Sequence, residues 1–131
     1  GGGSFINWVL GHIVKSRNLM LNLLNQDPAS TAEALERYSG DADAGWDNDT
    51  AIPFDELLAA FDNAQPALTD ALQAASAAHM SAKAPFSPIK NPDETIGSLL
   101  AALVFHEAYH VGQTGSIRRV AGKPGVLSPP A

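Results

Sequence analysis

His106-Glu107-Ala108-Tyr109-His110 is the stretch on which the reading of this chain turns. Histidines four residues apart lie above one another on one face of an α-helix, so their imidazoles can converge on a single point. Around them Ile96, Leu99, Leu103 and Ile117 recur at helical spacing, which places the pair on an inward stripe rather than on a solvent face. An imidazole turned inward needs a partner there. The same five residues fit H-E-x-x-H, the zinc-protease pattern in which the glutamate is the general base.

The helix that carries them has boundary signals on both sides. Asn91 is read as its cap, Pro92 as its first position and Glu94 as a capping-box partner. Gly122, with Pro124 just beyond, marks its end. Further back, Pro53 opens a helix with Asp55 and Glu56 at the positive end of its dipole. Its expected buried face is Phe54, Leu57, Leu58, Phe61, Leu68, Leu72 and Ala75, with a kink or break at Pro66 and an end near His79. Ser30 and Glu33 suggest a capping box for a short helix over Thr31 to Tyr38. The first helix is expected from Ser4, as N-cap, to about Asn25, with Phe5, Val9, His12, Ser16, Leu19 and Leu23 facing inward. Residues 1–4 before it read as flexible. No segment alternates with a period of two. The chain is therefore expected to be all-α, a single domain over residues 1–131, without internal repeats.

Composition narrows the function. At 131 residues and 45% apolar the chain is long enough for one modest core. A net charge of −6 argues against nucleic acid, because phosphate contacts need clustered Lys and Arg. The only adjacent basic pair, Arg118-Arg119, sits at a helix C-terminus, where the dipole accounts for it. No apolar run approaches the roughly 18 residues of a membrane span, and no secretory signal is visible, so a cytoplasmic location is the default. The absence of cysteine removes disulfides, thiolate ligands and a cysteine nucleophile together. Asp41, Asp43, Asp47 and Asp49 surround Trp46 without the ladder of a calcium hand. They read as solvated charge, with Trp46 anchoring the loop.

A metal at His106 and His110 needs a third ligand. Known H-E-x-x-H enzymes take it from downstream, yet no histidine follows His110 and no acidic residue follows Glu107. The longer pattern would need Gly at 113 and His at 116, where the chain has Gln113 and Ser116. The best candidate is therefore upstream: His12, on the inward stripe of the first helix. Glu107 then sits about 100° round the helix from His106. It is either a rim carboxylate or a general base or orienting partner. Tyr109 reads as a rim aromatic. Gln113 can bond a ligand's neighbour or satisfy the core. His79 is left outside the metal site.

Two segments together resemble a known family. Asn7-Trp8-Val9-Leu10-Gly11-His12 is similar to the N-x-x-x-G-H segment of the DinB-like (damage-inducible) superfamily. His106-Glu107-Ala108-Tyr109-His110-Val111-Gly112-Gln113, with Ile117-Arg118-Arg119 and Gly122, resembles that superfamily's last helix, H-x-x-x-H-x-G-Q with a following R-x-x-G. The resemblance implies an up-down-down-up four-helix bundle holding one divalent metal, zinc or nickel, through His12, His106 and His110. It also implies chemistry on a small-molecule substrate, as a metal-dependent transferase or isomerase using a low-molecular-weight thiol, or as a hydrolase. One departure stands out: only seven residues precede Trp8, so the bundle's first helix is expected to be lacking. That would expose an apolar groove and favour a homodimer. Two other readings remain beside this one. The first is a non-enzymatic metal-binding stress-response module, and the second an H-E-x-x-H metallopeptidase with Glu107 as base.

Overall fold

The computed structural model describes residues 2–40 and 50–125. The expectations for Trp46 and for Asp41, Asp43, Asp47 and Asp49 lie outside the described residues. Within them are four α-helices: α1 (Gly2–Leu23), α2 (Phe54–Ala74), the short α3 (Ala77–Ser81) and α4 (Ile96–Val120), with a 3-10 turn at Glu36–Tyr38. No strand is present among the described residues, only an isolated antiparallel bridge between Lys83 and Thr95. The all-α expectation is met.

Helix α1 is the centre of the fold, and α2 and α4 pack against it from either side. Their directions follow from which residues meet. Asn7, near the start of α1, bonds the Ile52 carbonyl just ahead of α2, and Arg17 further along bonds the Phe61 carbonyl. Thus α1 and α2 run parallel. Against α4 the order reverses, with His12 beside His106 and the end of α1 clustered with Leu99 and Leu100 at the start of α4. Parallel neighbours cannot be joined by a tight turn, so the connection between them is a long crossover, of which residues 24–40 are the first part. The three long helices therefore run down, down and up in chain order.

Two apolar clusters hold this arrangement. Met20, Leu21 and Leu24 of α1 meet Ala64, Leu68 and Ala71 of α2 and Leu99, Leu100 and Leu103 of α4. Towards the other end, Val14 of α1 and Leu57 and Ala60 of α2 enclose Leu35 and Tyr38 of the crossover. Burying each such leucine contributes on the order of 1.5–3 kcal/mol. Between α2 and α4 the side of α1 stays open as an apolar groove lined by Met20, Leu68, Leu72, Leu100 and Val104.

Several boundaries differ from expectation, each for a local reason. Helix α1 starts at Gly2, so Ser4 lies inside it rather than capping it. It ends at Leu23 because Asn25 adopts a left-handed conformation (φ 58°), letting the amides of Asn25 and Gln26 return to Asn22 and Leu21. The expected helix over 31–38 is a series of turns closed by the 3-10 turn, and Thr31 rather than Ser30 receives a capping amide, that of Ala34. Helix α2 runs unbroken through Pro66, whose ring faces solvent, so the carbonyl it frees can be hydrated. Its buried seam is Leu57, Ala60, Ala64, Leu68 and Ala71, whereas Phe54, Leu58 and Leu72 are largely exposed. Alanines let α2 approach α1 closely and turn the bulkier residues outward.

Helix α4 begins at Ile96, four residues after Pro92. Its cap is a reciprocal box in which Thr95 Oγ1 accepts from the Ser98 amide and Ser98 Oγ from the Thr95 amide. Asn91 instead closes a turn by accepting from the Asp93 amide at 3.0 Å. Glu94 accepts from the hydroxyls of Ser98 and Ser87, which hold its carboxyl below the usual range. At the far end Gly122 (φ 71°) is left-handed, and the amides of Gly122 and Lys123 return to Arg119 and Arg118.

Candidate metal centre

The antiparallel contact of α1 with α4 brings His12, His106 and His110 together. His106 Nε2 lies 3.1 Å from His12 Nε2 and 3.0 Å from His110 Nε2, and one ligand atom from each ring falls within 4.8 Å of the others. The ring centroids are 4.5–4.9 Å apart at steep mutual angles. Three rings therefore point one nitrogen each at a common centre.

What fixes each ring is the bond at its other nitrogen. His12 Nδ1–H donates to the Tyr38 backbone carbonyl at 2.6 Å, because a carbonyl can only accept. Nε2 of a neutral His12 is thereby left as a bare lone pair. His110 Nδ1 meets Gln113 Oε1 at 2.7 Å and is held in the same sense. His106 Nδ1 faces Ser16 Oγ at 3.4 Å. One N–H at the centre could satisfy only one pair of the three nitrogens, and the remaining lone pairs repel. A cation resolves the conflict. Tetrahedral coordination with bonds near 2.0–2.1 Å puts ligand nitrogens about 3.3 Å apart, close to the two separations that His106 Nε2 makes with the other rings. The donor set fits a divalent metal.

Tyr38 explains why Asn7, Gly11 and His12 occur together. Its side chain is fully buried and lies on α1 where Gly11 has no side chain. A Cβ added at Gly11 would stand 2.3 Å from the ring. The Tyr38 hydroxyl donates to Asn7 Oδ1 and accepts from the Ile52 amide, both at 3.0 Å, while Asn7 Nδ2 donates to the Ile52 carbonyl at 2.8 Å. Asn7 and Gly11 seat the tyrosine, and the tyrosine's carbonyl orients His12. Trp8 stacks on the same imidazole, with centroids 4.8 Å apart and planes 9° from parallel.

Glu107 points elsewhere. Arg17 Nε and Nη2 donate to its two carboxylate oxygens at 3.0 and 2.7 Å. Arg17 Nη1 donates to the Phe61 carbonyl at 2.8 Å, and the guanidinium lies 3.6 Å over the Phe61 ring. Three helices are tied at this one side chain. Gln113 is committed to His110, and its amide nitrogen donates to the Tyr109 hydroxyl at 3.2 Å. His79 lies apart from the triad and donates from Nε2 to the Leu23 carbonyl at 2.8 Å, closing the end of α1. Sequence reasoning assigned no site role to Ser16, Arg17 or Tyr38. A signal existed for Arg17: it adjoins Ser16 of the inward stripe, where a guanidinium needs a carboxylate partner, and Glu107 is the only acidic residue after Glu94.

Burial is the largest cause holding both His12 and His106 below the ordinary imidazole value near 6.5. For His12 the Tyr38 carbonyl pulls upward, while the neighbouring charges of His110 and Lys15 push further down. For His106 the charges of His110 and His12 add to the lowering, and Glu107 opposes it. Both rings are neutral at pH 7, as metal ligands must be. Because the folded values lie below the unfolded one, the unfolded chain takes up protons first as pH falls through about 6.5. The contribution to stability is complete above that pH and lost below it. The melting temperature of metal-free protein is therefore expected to fall between pH 7 and 5.5. A double His12→Gln, His106→Gln variant should lose that part of the slope, and an unchanged slope in the variant would refute the assignment.

Residues 1–114 match the family model described as the DinB superfamily. No curated protein and no solved structure matches the chain. Among the described residues, no helix is long and apolar enough to cross a membrane.

Proposed function

The chain belongs to the DinB superfamily, and from that premise we propose that His12, His106 and His110 hold one divalent ion, zinc or nickel, for a thiol-transfer or hydrolytic reaction on a small molecule. The observation that carries this reading is the convergence of three Nε2 atoms whose opposite ring nitrogens are already engaged. An ion held by three imidazoles with a coordination position open supplies Lewis acidity and lowers the pKa of a bound thiol or water.

The protein's own residues have separable parts in this scheme. Tyr38 and Gln113 orient two of the ligands, and Ser16 faces the third. Trp8 covers one face of His12 and shields it from water. A chain without cysteine cannot divert a thiol substrate into a mixed disulfide. Three imidazoles suit zinc, nickel, copper and iron, and the preference for zinc or nickel follows the family. The peptidase reading is weaker, because both oxygens of the glutamate it needs as a base are held by Arg17.

Elemental analysis of purified protein tests the proposal. About one equivalent of metal is expected in the wild-type chain, with near-complete loss in His12→Ala while the helical signal is retained. Unchanged metal content in that variant, or metal-free wild-type protein that takes up neither zinc nor nickel, would sink it.

A further inference from the structure

On the side of α1 facing the crossover lies a cavity of about 390 Å³, within the size range of small-molecule sites. One wall is a single stripe of α1, His12, Lys15, Ser16 and Leu19, and the other is made by residues 28–40 of the crossover. Its surface is mostly apolar, with Leu19 on one wall and Pro28 and Ala32 on the other. The cavity shares His12 and Ser16 with the metal centre, and Ser16 Oγ is the group facing His106 Nδ1. A molecule lodged here therefore lies against the His12 edge of the triad.

Among the described residues, Lys15 is the only lysine or arginine in the lining and Glu36 the only carboxylate. Its ammonium donates to Glu36 Oε2 at 3.1 Å and to Ser39 Oγ. An ammonium has three donors, so one remains for a ligand. The two members of the ion pair are unequal: the Lys15 side chain is 33% exposed and Glu36 78%. Water screens the carboxylate far more than the ammonium, so an anion entering from the cavity side meets a cation only partly neutralised.

We propose that this cavity is a binding site for a small carboxylate with an apolar body. In this site Lys15 holds the anionic end on the His12 side, and the apolar body extends away from His12 along Leu19, against Pro28 and Ala32. It rests on the reading of the triad as the reactive centre only for its function, since the binding itself requires Lys15 and the two walls.

Titrations of the full chain with hexanoate and with 1-hexanol, followed by backbone amide NMR, separate the charge contribution from the apolar one. Hexanoate is expected to bind about tenfold or more tightly than hexanol, as one charge-assisted hydrogen bond implies. Shifts should be concentrated in residues 12–22 and 28–40. Lys15→Met should abolish the preference while leaving hexanol affinity unchanged, and Lys15→Arg should keep it. Equal binding of the two probes, a preference that survives Lys15→Met, or equal weakening of both probes in that variant would overturn the proposal. The last result would make Lys15 a strap between α1 and the crossover. Metal-free His106→Ala protein should retain the hexanoate preference, so failure of the metal assignment leaves this result readable on its own.

Discussion

Gly11→Ala is expected to destabilise the protein by about 2–3 kcal/mol, lowering its melting temperature by roughly 10 °C. Helix propensity predicts the opposite sign, because alanine in a helix interior is favoured over glycine by about 0.5–1 kcal/mol. The steric term wins here. The new Cβ would lie 2.3, 2.4 and 2.6 Å from three ring atoms of Tyr38, and that ring cannot slide away. It is fully buried, its hydroxyl is held from two sides, and its own carbonyl binds His12. Any shift that relieves the clash moves the carbonyl that orients His12. Loss of such a partner typically costs 10–100-fold in metal affinity. Gly112 and Gly115 provide the contrast, since a Cβ at either meets nothing within 4 Å. Gly112→Ala and Gly115→Ala should be neutral or slightly stabilising. Thermal melts of the three variants, with zinc titrations beside them, decide the matter. If Gly11→Ala melts with the other two, Tyr38 is not seated as described.

That contrast also shows why part of the fold was legible in sequence and part was not. The three long helices and the inward placement of His12, His106 and His110 follow from periodicity, which depends only on spacing along one helix. The four-residue step between His106 and His110 carries its own geometry. Contacts across elements carry no such signature. Tyr38 lies in a crossover 26 residues from His12, and nothing local says that its ring fills the place of a missing side chain at Gly11. The start of α4 is not decided by sequence, because Asn91-Pro92 and Thr95-Ile96-Gly97-Ser98 are both plausible starts. The second wins, since Glu94 is drawn off by Ser87 and Ser98 and the bridge to Lys83 holds Thr95 itself extended. The buried face of α2 differs from the expected one because an alanine seam carries a weaker pattern than Phe54, Leu58 and Leu72. Close approach of the two backbones favours the smaller residues.

The Arg17–Glu107 pair is where sequence pattern and structure diverge most, and it supports the other large prediction. As the glutamate of an H-E-x-x-H string, Glu107 would be a base: Glu107→Gln would then abolish turnover and leave stability and metal content nearly intact. As the tie between α1 and α4, it should behave otherwise. The Arg17 side chain is 7% exposed and that of Glu107 18%, so removing either partner strands a charge with little water to receive it. Breaking a buried pair costs about 3–5 kcal/mol, and the lower end suits a carboxylate that keeps some solvent. Arg17→Met and Glu107→Gln are each expected to lose about 3 kcal/mol, measured by denaturant unfolding of metal-free protein. The double Arg17→Met, Glu107→Leu variant should recover much of that loss, because two apolar side chains leave no charge stranded and Phe61 is already there to pack against. The recovery separates the two readings, since a catalytic base gains nothing from the second substitution. Metal affinity should follow stability through the series, because Glu107 adjoins His106 and Arg17 adjoins Ser16, and loosening this contact lets α4 move its two imidazoles away from His12. A Glu107→Gln protein with wild-type stability and full metal content would remove the tie and restore the glutamate as a candidate base.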